Sequence, residues 1–170
     1  MPYYVPARSF PPLGKGKKSR SSRPDTLVEN RKARFEFEIS DEYEAGMSLL
    51  GSEVKAIRDG KMSLAEAFCQ FENGELFLVQ SHIGEYVQAH GRNHPPLRKR
   101  KLLLHRRELE RLQDAVKLEG VTIVPLAVYL KDRRLKLAIG VGKGKKLHDK
   151  RHSIKARDQA REMQRAKNDY

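Results

Sequence analysis

Large apolar residues are concentrated between residues 30 and 139, and this distribution limits the chain to one compact domain. The 170 residues carry a formal net charge of +13, much of it at the two ends. Residues 140–170 hold ten Lys and Arg against four acids, and residues 1–29 hold six against two. Neither end can bury enough surface to offset the entropy lost on ordering. We therefore expect a disordered basic leader (1–29), a folded domain (30–139) and a basic tail (140–170).

The composition favours a nucleic-acid partner in the cytoplasm. A sequence pI near 10 suits binding to phosphate, because clustered Lys and Arg release counterions from a polyanion. No apolar run approaches the roughly 18 residues of a membrane-spanning helix, and the N-terminus has no apolar signal core. The single cysteine, Cys69, lies between Phe68 and Phe71, which indicates a buried structural thiol.

Alternating hydrophobicity predicts mainly β structure. Phe35, Phe37 and Ile39 alternate with charged residues, the period of a strand buried on one face. Ser40-Asp41-Glu42 has the composition of a helix start, so a short helix ending near Gly51 is expected next. Asn73-Gly74 favours a hairpin turn. Further strands are expected over residues 54–57, 64–71, 76–79, 121–130 and 135–139.

One more helix is expected before the last two strands. Leu109, Leu112 and Val116 share a helical face, and Gly120 can end that helix. Pro125 requires a bulge or an edge position in its strand. Short strands with flanking helices over about 110 residues fit a small antiparallel barrel, since closure removes exposed strand edges. Among small barrels, the oligonucleotide-binding (OB) type suits the basic charge.

Five motifs in a fixed order resemble one known family. They are Asn30-Arg31-Lys32-Ala33, Tyr43-Glu44-Ala45-Gly46, Gly51-Ser52-Glu53-Val54-Lys55, Arg100-Lys101-Leu102-Leu103-Leu104 and Gly144-Lys145-Lys146-Leu147-His148-Asp149-Lys150-Arg151. From about Asn30 to the C-terminus the chain resembles the SsrA-binding (SmpB) family, the protein partners of transfer-messenger RNA. The resemblance implies an OB-like barrel that binds the tRNA-like domain of this RNA. It also implies delivery to stalled ribosomes for trans-translation, together with elongation factor Tu, and no enzymatic activity, cofactor or metal.

The resemblance assigns RNA binding to residues of the folded domain. They are Asn30, Arg31, Lys32, Glu44, Glu53, Lys55, Arg100, Lys101 and Leu103. Composition alone favours plainer interpretations, namely a solvated strand entry, an exposed acid at Glu44 and core burial of Leu103. A carboxylate such as Glu44 can serve an RNA site only by accepting hydrogen bonds from bases or by ordering a neighbouring cation. Glu53 is expected to organise its neighbours, with Lys55 as the phosphate contact.

The tail is expected to bind the decoding centre and the empty mRNA channel of the ribosome. Gly140, Gly142 and Gly144 suggest a hinge between barrel and tail. The ribosome-binding residues implied are Lys143, Lys145, Lys146, His148, Asp149, Lys150, Arg151, Ile154, Lys155 and Met163. With so few apolar residues, the tail should be disordered alone and become helical only on the ribosome.

Two other functions remain as alternatives. One is a general single-strand RNA-binding barrel of the cold-shock type, although the chain has only six Phe, six Tyr and no Trp as stacking platforms. The other is a ribonuclease that uses His148 with Asp149, which adjacent positions and the absence of a third group disfavour. His90 and His94 have a metal-ligand spacing, but Gly91, Pro95 and Pro96 preclude a helix there.

Overall fold

Antiparallel strands dominate the computed structural model, which describes residues 25–89 and 93–145. The strands are β1 (Thr26–Glu29), β2 (Phe37–Met47), β3 (Met62–Ser63), β4 (Phe68–Glu72), β5 (Glu75–Val79), β6 (His82–Ile83), β7 (Arg100–Leu103), β8 (Val121–Lys131) and β9 (Arg134–Gly144). The helices are α1 (Arg31–Glu36), α2 (Gly51–Arg58) and α3 (Arg106–Val116), with a 3-10 turn at Val87–Ala89. In this part of the chain no helix has the length and apolar character needed to cross a bilayer.

The main sheet closes on itself. Its strand order is β1-β8-β4-β5-β7-β2-β9, and β8 also pairs with β9 along its whole length. The ring therefore contains six strands, with β1 added beside the far half of β8. β3 and β6 form a separate two-stranded pair. This arrangement confirms the predicted mainly β, antiparallel, barrel-like fold with flanking helices.

Two apolar clusters hold the barrel together. The larger one fills the interior and includes Ile57 of α2, Leu78 of β5 and Leu112 of α3. The smaller one lies on the outer face of β8 and β9, where Ala33 of α1 packs near Leu126. Cys69 belongs to the interior cluster, as predicted, and its burial raises the pKa of the thiol far above its ordinary value.

Two hairpin turns place non-glycine residues in the left-handed region. Asn73 (φ 50°) and Gly74 (φ 78°) join β4 to β5, which confirms the predicted hairpin. Asp132 (φ 48°) and Arg133 (φ 61°) join β8 to β9 in the same way. The register of β8 shifts between Pro125 and Ala127, so the bulge predicted for Pro125 is confirmed.

Several local predictions are wrong, and the first two concern the N-terminal end of the folded domain. Residues 26–29 form β1 and pair with β8, so the leader stops short of residue 29. Residues 31–36 form α1 because the Asn30 side chain caps the helix by accepting a bond from Ala33 N (3.1 Å), and the first long strand starts only at residue 37.

The predicted helix after residue 40 is a strand, and the predicted strand over 54–57 is a helix. The acids at 41, 42 and 44 are exposed on β2, which continues to Met47 and pairs with β9 from Phe37 to Gly46. Here the pairing of the strand in the sheet outweighs the local helix propensity of these residues. In α2, Ala56 and Ile57 are buried, and Glu53 accepts a bond from Leu50 N (2.7 Å) at the first turn.

The predicted hinge after Ile139 is also wrong at its first two glycines. β9 continues to Gly144, and both Gly140 and Gly142 are buried. A methyl group at Gly142 would come within 2.9 Å of Ile39 Cδ1, and one at Gly140 within 2.9 Å of Ile39 Cγ2. These glycines allow close packing of β9 against Ile39 rather than flexibility.

Candidate nucleic-acid interface

An open groove of about 720 Å³ lies between α2, the start of α3 and the β8–β9 turn. Its lining comes from four segments of the chain. The lining residues are Glu44, Gly46, Met47, Leu49, Val54, Arg58, Leu103, Leu104, His105, Glu108, Arg133, Arg134, Leu135 and Lys136. The groove brings together two residues predicted to bind RNA, Glu44 and Leu103, and adds a set of cations that the sequence did not single out.

Leu103 and Gly46 form an apolar part of the groove. The two residues are paired across β7 and β2. Leu103 is 53% exposed, so it faces outward, as the resemblance to the family suggested. A Cβ at residue 46 would lie 3.3 Å from Leu103 Cβ, so the glycine gives the leucine its room. An exposed leucine beside bare backbone offers a flat apolar surface of the kind on which a nucleoside can pack.

Glu44 organises the cations at this surface. It accepts a 2.6 Å bond from the Tyr129 hydroxyl and bonds of 3.1 and 3.0 Å from Lys131 Nζ, and Lys136 Nζ lies 3.7 Å away. The bond from Tyr129, the bonds from Lys131 and the charges of both lysines lower the pKa of the Glu44 carboxyl below its ordinary value. Glu44 therefore stays ionised and orders two lysines, one of the two roles that the sequence allowed for an acid at an RNA site.

Three arginines complete the groove. Arg58 Nη2 donates to the carbonyl of Arg133 (3.4 Å), so α2 is tied to the β8–β9 turn beside Arg134. Within the described residues, the ion pairs of this surface involve Lys131 and Lys136 and leave these arginines without a carboxylate partner. Guanidinium groups without carboxylate partners can bind phosphate in a bidentate manner.

The structure gives Glu53 and Arg100 a different role from direct RNA contact. Both side chains are fully buried. Arg100 donates to Glu53 Oε1 (3.0 Å), Ser81 O (2.6 Å) and Pro96 O (3.0 Å), and Arg98 donates to Glu53 Oε2 (2.6 Å). The prediction that these two residues contact RNA directly is wrong, because RNA cannot reach them. Their role is structural. Glu53 does organise its neighbours, as expected.

The charge state of this network follows from its contacts. Burial disfavours the charged form of Glu53, but the bonds from Arg98 and Leu50 N and the Arg100 charge lower the pKa of Glu53 below its ordinary value. Burial lowers the pKa of Arg100, against the attraction of Glu53. Glu53 and Arg100 are therefore a buried ion pair, held between α2 and β7.

The remaining predicted RNA contacts lie outside the groove. Lys55 is exposed on another side of α2, with Nζ 5.2 Å from the centre of the Tyr86 ring. Asn30 is buried and donates to Leu64 O (3.1 Å) and Pro125 O (3.0 Å), so it links α1 to the barrel and is not a direct contact. Exposed ion pairs hold three other residues: Arg31 with Glu29, Lys32 with Glu66 and Lys101 with Glu75.

Most of the predicted tail residues lie outside the described part of the chain. Lys143 belongs to β9, and Lys145 follows it, with its N–H bonded to Glu36 O (2.9 Å) and its Nζ to Arg34 O (3.1 Å). The predicted tail residues that lie outside the described part of the chain are Lys146, His148, Asp149, Lys150, Arg151, Ile154, Lys155 and Met163. They stay predictions, as does the tail's ordering on the ribosome.

His94 and the other metal-ligating side chains of the described residues form no metal site. His94 is buried, with Nδ1 2.9 Å from Ser52 Oγ and Nε2 3.2 Å from Ile83 O. Its ring is thus bonded within the fold, and His90 lies outside the described residues. Between residues 25 and 145, the gap at 90–92 aside, no three His, Cys, Asp or Glu side chains form a group that could hold a metal.

Sequence reasoning missed six residues of the interface: Arg58, Tyr129, Lys131, Arg133, Arg134 and Lys136. Outward-facing polar positions in two adjacent strands were the available signal for Tyr129 and Lys136, which the register pairs directly. Arg133 and Arg134 lie where the predicted strands 121–130 and 135–139 are connected, and no local pattern marked them as a binding site. Their proximity to α2 depends on the barrel's closure, which the sequence does not reveal.

Comparison with known proteins gives a consistent result. The family model described as SmpB protein matches residues 27–169. An SsrA-binding protein from Rhizobium leguminosarum bv. trifolii is 52% identical over 140 residues, covering 82% of this chain and 88% of its own, and one from Nitrobacter winogradskyi is 52% identical over 82% and 89%. A solved structure described as "tmRNA-SmpB: a journey to the center of the bacterial ribosome" matches with a TM-score of 0.60 and 45% identity, covering 71% of this chain and 85% of that one. The chain belongs to the SmpB family of SsrA-binding proteins.

Proposed function

We propose that this protein binds the tRNA-like domain of transfer-messenger RNA and delivers it to stalled ribosomes for trans-translation. The observation that carries the proposal is the groove that joins exposed Leu103 to a Glu44-ordered pair of lysines and three arginines. Family membership and similarity to a structure described as tmRNA-SmpB support the same partner. The protein acts as a non-enzymatic adaptor in the cytoplasm.

The groove binds RNA through two kinds of contact. Arg58, Arg133 and Arg134 take phosphates, which fix the position of the RNA without reading its sequence. Leu103 beside Gly46 packs against a nucleoside, and this contact depends on the shape of the folded RNA. The protein therefore selects a tRNA-like fold over a single strand, because the folded RNA makes both contacts at once.

The tail supplies the second half of the proposal. Residues from Lys146 onward enter the decoding centre and the empty mRNA channel, where their cations meet rRNA phosphate. The delivery complex also contains elongation factor Tu. Support for this assignment comes from the family motif at residues 144–151 and from the ten Lys and Arg between residues 140 and 170.

The decisive experiment compares RNA partners across a salt series. The purified protein should bind the tRNA-like domain more tightly than an ordinary tRNA or a single-stranded oligomer, and the preference should persist as salt rises. Lys136→Ala should weaken binding and lower the salt slope by about one. Lys117→Ala removes the same charge from the exposed end of α3 and is the matched control.

Three outcomes of this experiment would count against the proposal. Equal affinity for all three RNAs would indicate a general RNA-binding barrel instead. Equal losses in Lys136→Ala and Lys117→Ala would show that the groove is not the interface. Cleavage of any RNA by the wild-type protein would contradict the non-enzymatic adaptor.

A further inference from the structure

A second groove, of about 390 Å³, lies at the other end of α3 from the RNA groove. Its floor is apolar and includes Ile39, Leu118 and Val121. Leu118 is 65% exposed and lies beside these apolar residues. The RNA groove contacts the start of α3 at His105 and Glu108, so the two grooves do not overlap.

The charges around this second groove differ from those of the whole protein. Glu38 and Asp41 line it, and neither forms an ion pair with a residue in the described part of the chain. Lys143 is the cation of the lining and is paired in register with Glu38. In a chain of net charge +13, a site with more acids than bases suits a basic and partly apolar occupant.

The chain itself provides such an occupant close by. Lys145 is fixed to the backbone of Arg34 and Glu36, and 25 residues follow it. The groove wall at residues 141–143 is two to four residues back along β9, or about 7–13 Å. A turn of about four residues after Lys145 reverses the chain, so residues from about 150 onward can run back along this distance and reach the groove.

Residues 150–157 match the groove in charge and in apolar content. This segment, Lys-Arg-His-Ser-Ile-Lys-Ala-Arg, has four Lys and Arg, no acid and one large apolar residue, Ile154. We propose that the groove beside Leu118 binds residues 150–157 of the same chain when the protein is away from the ribosome, so that, unlike the expectation from composition, this part of the tail is held against the barrel. Ile154 packs against Leu118 and Ile39, and the flanking cations lie near Glu38 and Asp41. The same residues are released when the tail enters the ribosome.

This docking can be tested on the full-length protein by paramagnetic NMR. A nitroxide is attached to Ala156→Cys, and Cys69 does not interfere because it is buried. At low ionic strength the label should broaden the methyl signals of Ile39, Leu118 and Val121 and leave the Leu103 methyls sharp. Raised salt should reduce the broadening, because exposed charge pairs are screened.

Two substitutions decide between specific docking and loose attraction. Leu118→Lys should abolish the broadening at Ile39 and Val121, whereas Leu97→Lys, at a leucine that is 61% exposed and outside the groove, should leave it unchanged. Asp41→Asn should weaken the broadening without altering the apolar floor. Equal broadening at Leu103 and Ile39, or broadening that survives Leu118→Lys, would overturn the proposal.

Discussion

Arg100 and Glu53 form an ion pair in which both side chains are fully buried, with 3.0 Å between Arg100 Nε and Glu53 Oε1. The pair joins β7 to α2, and Arg98 Nη2 donates to the second carboxylate oxygen, Glu53 Oε2, at 2.6 Å. α2 also provides Arg58 to the RNA groove. The buried pair therefore sets the position of one wall of the proposed interface from behind.

Replacing Arg100 with Met should lower the free energy of unfolding by about 3–5 kcal/mol, because it leaves a buried carboxylate without its buried partner. Chemical denaturation of the purified protein measures this change. Lys101→Met is the matched control, since Lys101 and Glu75 form an exposed pair whose loss should cost less than about 1 kcal/mol. Similar small losses in both variants would show that the buried pair does not stabilise the fold.

Glu44 should make stability depend on pH in the acid range. Its pKa in the folded protein lies below the ordinary value of 4.5, chiefly through the bond from Tyr129. A lowered folded pKa means that Glu44 contributes stability above pH 4.5 and loses that contribution as the pH falls through the folded pKa. The unfolding free energies of the wild type and Glu44→Gln should therefore differ at neutral pH and converge in acid. A difference that stays constant with pH would contradict this assignment.

Much of the fold could be predicted from local patterns. Asn73-Gly74, the apolar face of α3 and the bulge at Pro125 follow from rules that act over a few residues. The predictions for residues 31–58 failed. In β2 the local signals conflict with the pairing of the strand in the sheet. β2 carries acids on its exposed face that resemble a helix start, and only its pairing with β9 makes it a strand.

The candidate site was predictable only in part. Family motifs pointed to Glu44 and Leu103, which the groove contains, and also to Glu53 and Arg100, which are buried. A sequence does not state whether a charged residue faces solvent or a buried partner 47 positions away. Arg133 enters the groove only because the barrel closes beside α2, a long-range consequence that no local pattern carries.

Gly46→Val should weaken binding to the tRNA-like domain with little change in stability. A side chain at residue 46 meets Leu103 Cβ at 3.3 Å and Leu103 Cδ1 at 3.6 Å, so it must displace the exposed leucine. Filter binding or fluorescence anisotropy measures the affinity, and thermal unfolding checks the fold. Gly51→Ala is the control, because nothing lies within 4 Å of a Cβ there. Unchanged affinity in Gly46→Val would remove Leu103 from the interface.

Gly142→Ala distinguishes a packed strand from a hinge. A Cβ at residue 142 would lie 2.9 Å from Ile39 Cδ1, 3.1 Å from Phe37 Cβ and 3.2 Å from Glu38 O, so the added methyl should cost about 1–3 kcal/mol of unfolding free energy. Gly144→Ala meets nothing within 4 Å and should leave the stability almost unchanged. Denaturant titration of both variants measures the contrast. If residue 142 were a hinge, alanine there would be tolerated as well as at 144, because a flexible connection has no packing to disturb.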